Sequence, residues 1–91
     1  MYEDQDGGRG VGASMPRDEW VVFDPASLGS AIAHFRGRAG LTQEALARRA
    51  GLHRPYLSQL ERGRATAQTE RLFRVLRRLD LELVLRRRAG N

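Results

Sequence analysis

A chain of 91 residues with 41% hydrophobic side chains builds one small domain with a modest core, and the absence of cysteine excludes a disulfide framework, a thiolate metal site and a cysteine nucleophile. All sixteen basic residues are arginine and they are unevenly placed: residues 1–24 hold two against six acids, whereas residues 25–91 hold fourteen against five. A folded part this basic attracts polyanions, nucleic acid first among them.

No apolar run approaches the ~20 residues needed to span a bilayer, and no charged segment leads into an apolar one at the N-terminus. A cytoplasmic location without membrane contact is therefore expected. Up to about Arg17, Gly7, Gly8, Gly10 and Gly12 lie among acids with few apolar side chains, too little burial to offset ordering, so residues 1–19 are expected to be a flexible tail. Trp20-Val21-Val22-Phe23 is a short apolar run that suits either an extended segment on the bundle or a docking surface, and packing against the protein's own core is the expectation. Asp24-Pro25 then reads as a cap followed by a proline at the first helical position, with Ser27 as a competing cap. Leu28, Ile32, Phe35 and Ala39 recur at helical spacing as a buried stripe, and Gly40 closes the helix.

The stretch from Leu41 to Arg62 predicts two short helices joined by a tight turn. Thr42 caps the first, which runs through Ala50 and stops at Gly51, where a left-handed conformation suits glycine. His53 or Arg54 caps the second, Pro55 suits its first turn, and Gly63 ends it. Leu46, Ala47 and Ala50 share a face of the first helix and Leu57 and Leu60 a face of the second, with Leu52 expected to fill the corner. Outward on the second helix remain Pro55, Ser58, Gln59 and Arg62, with Arg54 at its leading end. After a loop at Arg64 to Thr66, a further helix starts at Thr66 or Gln68, with Leu72, Phe73, Val75, Leu76 and Leu79 on its apolar face. The period then changes: Leu81, Leu83 and Leu85 alternate with Glu82 and Arg86, as in a strand. Val84 departs from that alternation. With no second strand downstream, this segment is expected to pair with its twin across a two-fold axis.

Thr42, Gln43, Ala47, Gly51, Leu57 and Leu60, with the ending Gln59-Leu60-Glu61-Arg62-Gly63, resemble the helix-turn-helix of the XRE/Cro family, which includes the lambdoid phage repressors. The resemblance covers about residues 28–80. The ending, Leu72-Phe73-Arg74-Val75-Leu76 followed by Leu79-Asp80-Leu81-Glu82-Leu83-Val84-Leu85, is similar to HipB-like antitoxins of type II toxin-antitoxin pairs, whose strand after the last helix joins two subunits. Together these imply an all-α, lambda-repressor-like bundle of four to five helices with a short C-terminal β-strand pairing across a dimer. The division is then a helix-turn-helix domain at 20–80, a dimerisation strand at 81–88 containing Leu81, Leu83, Val84 and Leu85, and a tail at 89–91. The resemblance also implies a structural ion pair between Arg36 and Glu61.

The chemistry of base edges assigns candidate roles in a double-stranded, inverted-repeat operator. Arg54 suits guanine and Gln59 adenine, Ser58 is permissive, Pro55 touches a thymine methyl, and His53 reaches a base edge or a phosphate. Thr42, Gln43, Tyr56, Arg62 and Arg64 are assigned to phosphates, with Gln43 placed there both by its position at a helix start and by the resemblance. The expected function is a dimeric transcriptional repressor, the antitoxin of a pair with a HipA-like kinase toxin, binding its own promoter. A stand-alone phage-like or metabolic repressor is the alternative, and an RNA-binding or protein-docking module belongs to a different class. No enzyme is expected, because no triad, paired carboxylates or phosphate-cradling loop is recognisable. No cofactor is expected either, and His34 and His53 have no carboxylate at ligand spacing for a metal.

Overall fold

The computed structural model describes residues 18–88, so the segment expected to be a flexible tail lies almost wholly outside the described residues. Strand β1 (Glu19–Val22) leads into helices α1 (Pro25–Arg38), α2 (Gln43–Ala50), α3 (Arg54–Glu61) and α4 (Ala67–Arg78), and strand β2 (Leu83–Arg86) closes the order. Among the described residues no helix is long and apolar enough to cross a membrane.

Local chemistry sets the helix limits. Asp24 and Ser27 do not compete but share the start of α1 as a capping box: Asp24 Oδ1 accepts from Ser27 N–H at 2.7 Å, and Ser27 Oγ accepts from Asp24 N–H at 3.1 Å. Thr42 caps α2 by accepting from Ala45 N–H at 3.0 Å, and Thr66 and Thr69 form a second capping box on α4. All four helices end alike. In each, a left-handed residue follows the last turn and two backbone N–H groups bond back to its carbonyls; that residue is Gly40, Gly51, Gly63 and, after α4, Asp80 at φ 60°.

The core sits where both strands meet α1 and α4. Val22, Ala31 and Phe73 are fully buried, with Trp20, Leu28, Leu76, Leu83 and Leu85 packed around them. The antiparallel register pairs Trp20 with Leu85 and Val22 with Leu83, which turns these four side chains inward. The partner of β2 is thus β1 of the same chain, where the sequence suggested only a twin molecule. Trp20-Val21-Val22 is extended as expected, and its alternation matches that of β2, but Phe23, expected to lie on the core with them, is 59% exposed beyond the end of β1.

Three further expectations are corrected. Ala39 is exposed at the cap of α1, while Gly29 and Ala31 are its fully buried positions. Leu52 is 43% exposed and fills no corner; its N–H instead donates to the Ala47 carbonyl at 2.8 Å. On α4 only Phe73 is buried and Leu76 half-buried, leaving Leu72, Val75 and Leu79 exposed at 49%, 54% and 62%. The apolar arc of α4 is wider than one contact with α1 and the strands can cover.

Candidate nucleic-acid interface

Three residues, Gly51-Leu52-His53, join α2 to α3. Gly51 at φ 70° reverses the chain, and Ala47 and Leu57, each 2% exposed, are buried on the two helices. The small Ala47 side chain permits the close approach that a short turn requires. With Leu57 buried and Leu60 half-buried, the opposite side of α3 faces solvent: Arg54, Pro55, Gln59 and Arg62 are exposed and Ser58 is half-buried. His53, at the helix start, makes no side-chain capping bond and is exposed, as are Tyr56, Arg64 and Thr42. Gln43 is half-buried at the first position of α2.

The mounting of α3 depends on Glu61. Its Oε2 accepts from Arg36 Nε at 2.7 Å and its Oε1 from Arg36 Nη2 at 2.9 Å, a bidentate pair in which the Glu61 side chain is only 6% exposed and that of Arg36 21%. Arg36 Nη1 donates onward to the Leu41 carbonyl at 2.9 Å, and Gln43 Nε2 donates to Glu61 Oε1 at 2.9 Å. One carboxylate thereby ties α1, the linker before α2, α2 itself and the last turn of α3. The hydrogen bonds from Arg36, with help from Gln43 and against the effect of burial, hold the Glu61 carboxyl below the ordinary carboxylate range. The same bond, again opposed by burial, raises the Arg36 guanidinium above its usual value.

Two residues complete the mounting. A Cβ at Gly29 would lie 2.7 Å from the Glu61 carbonyl oxygen and closer still to that of Leu60, so the end of α3 rests directly on the α1 backbone. Gly63, besides its positive φ, would bring a Cβ to 2.8 Å from Ala26 Cα. Sequence reasoning missed Gly29, which falls between apolar positions of α1 and carries no local turn signal. It also assigned Gln43 only to phosphate; one amide hydrogen is in fact committed to Glu61, while the second hydrogen and the amide oxygen have no partner among the described residues. The remaining candidates, His53, Arg54, Pro55, Tyr56, Ser58, Gln59, Arg62 and Arg64, lie on or beside α3. Of the four residues assigned to the dimerisation strand, Leu83 and Leu85 point into the core rather than away from it, and Leu81 and Val84 are exposed.

Residues 32–85, more than half of the chain, match the helix-turn-helix family model, from the second turn of α1 to β2. No curated protein and no solved structure matches the chain.

Proposed function

This chain belongs to the XRE-type helix-turn-helix family of DNA-binding transcription regulators, and on that premise we propose that it is a sequence-specific repressor. It acts as a homodimer on an inverted-repeat operator, as the antitoxin of a type II pair with a HipA-like kinase toxin. The observation that carries DNA reading is the outward face of α3. Pro55, Ser58, Gln59 and Arg62, led by Arg54, are polar or short side chains on a helix fixed at both ends, by the Gly51 turn and by the Glu61 network. Such a face enters a major groove without rearrangement, Arg54 reading guanine, Gln59 adenine, and Pro55, Ser58 and His53 the flanking edges. Thr42, Gln43, Tyr56, Arg62 and Arg64 surround it as phosphate contacts. Thr42 keeps its hydroxyl hydrogen for that purpose, since the cap uses only its oxygen as acceptor.

Dimerisation is supported by the uncovered apolar stripe of α4. Leu72, Val75 and Leu79 lie one helical turn apart on one face, Leu81 follows directly, and the edge of β2 away from β1 has no partner among the described residues. A twin molecule across a two-fold axis covers both, and places two α3 helices ~34 Å apart on successive major grooves. The antitoxin role rests on likeness of the α4-to-β2 ending to HipB-like proteins, and a stand-alone repressor is its alternative.

Selection of bound duplexes from a random pool tests the central reading. An enriched inverted repeat with half-sites about one turn apart is expected; retention of scrambled duplexes with equal affinity in moderate salt would overturn it. Co-purification with the product of an adjoining toxin-sized gene separates the antitoxin from the stand-alone repressor.

A further inference from the structure

Away from α3, the C-terminal turn of α1 and the end of β2 enclose a half-open cleft of about 320 Å³. Phe35, Ala39 and Leu85 provide apolar walls, and Arg38, Arg86 and Arg87 surround them. Of the three arginines only Arg86 has an ion-pair partner among the described residues, a distant Glu19 carboxylate at 3.6 Å. The side chains of Arg38 and Arg87 have no ion-pair partner among the described residues, so their donors are open to an anion seated in the hollow. The volume lies at the lower end of the range for small-molecule sites, and the lining combines apolar walls with donors that grip a carboxylate in pairs.

We propose that this cleft is a binding site for a small aromatic carboxylate, whose ring lies against Phe35 and Leu85 and whose carboxylate is held by Arg38 and Arg87. A ligand there joins α1 to β2 and stabilises the clasp between the last strand and the helix that holds Arg36. The site does not depend on the DNA-reading role of α3, and its test needs no DNA.

The test is titration of the isotope-labelled full chain with 1-naphthoate, followed by amide chemical shifts, beside the neutral isostere 1-naphthalenemethanol. Saturable shifts centred on Phe35 to Gly40 and Leu85 to Arg88 are expected, with naphthoate binding about tenfold tighter than the alcohol, as a paired charge requires. Arg38→Ala with Arg87→Ala should bring naphthoate down to the affinity of the alcohol. Ala39→Leu should fill the hollow and weaken both ligands while the melting temperature stays unchanged. Equal affinity for acid and alcohol, shifts centred on the α4 stripe, or no saturation would each overturn the proposal. So would binding that appears only after Glu3→Gln, Asp4→Asn and Asp6→Asn, because the cleft would then belong to the chain's own acidic segment.

Discussion

The Cα of Gly29 faces the carbonyl oxygens of Leu60 and Glu61, so that α1 and the last turn of α3 touch backbone to backbone. A methyl group at this position has no space, and its neighbours are main-chain atoms that cannot swing aside. Gly29→Ala should therefore destabilise the domain by about 1 to 3 kcal/mol, less up to ~1 kcal/mol returned by the better helix propensity of alanine. Gly37→Ala is the matched control on the same helix. Nothing lies within 4 Å of a Cβ there, so the substitution should stabilise by up to about 1 kcal/mol. Opposite shifts in the urea midpoint are the expected outcome.

Asp80 occupies the position that glycine holds at the ends of the other three helices. A side chain in the left-handed region costs about 1 kcal/mol, partly offset because aspartate tolerates it better than most residues. Asp80→Gly should raise the melting temperature by a few degrees, a size consistent with ~0.5 kcal/mol in a domain of this length. Asp80→Val should lower it.

The Arg36–Glu61 pair gives stability a pH dependence of definite sign. Folding depresses the Glu61 pKa, so the unfolded chain takes up a proton first as pH falls. The contribution of the pair is complete above the ordinary carboxylate range. It declines as pH drops below that range and vanishes once pH passes below the folded value. Glu61→Gln should cost about 3 kcal/mol at neutral pH, near the lower end for buried pairs because Arg36 retains some solvent contact. Urea midpoints from pH 7 down to 3 should fall less steeply for this variant than for the wild-type chain.

Arg54 and Arg64 should separate reading from clamping. If Arg54 bonds a guanine edge, Arg54→Ala weakens one operator by ~1 to 3 kcal/mol and relaxes preference at a single base pair. Arg64→Ala should weaken all duplexes alike and reduce the salt slope by about one. Binding to the selected operator and to its single-base variants, across a salt series, distinguishes the two patterns.

Much of this architecture is legible in the sequence because local chemistry decides it. Thr42, Gly51, Pro55 and Gly63 mark both helices of the reading unit, and the periodicity of Leu57 and Leu60 says which side of α3 remains for solvent. What escapes is contact between distant residues. Trp20-Val21-Val22 reads as extended, yet nothing local says that it pairs with Leu83-Val84-Leu85 more than sixty positions away. Gly29 looks like an ordinary gap in an apolar pattern until α3 is laid across it. The α4 stripe shows a third limit: periodicity reveals that Leu72, Val75 and Leu79 share a side, but not how much of that side a small core can cover.

The register of β1 and β2 has a mechanical corollary. Glu19 and Arg86 stand opposite each other, so the chain enters and leaves the folded domain at neighbouring points. A pull on the two ends loads the ladder from that side, parting its rungs one after another in the manner of a zipper instead of shearing them together. An unfolding machine that grips either end would open the strand pair and expose Phe73 before any strain reached the Glu61 carboxylate.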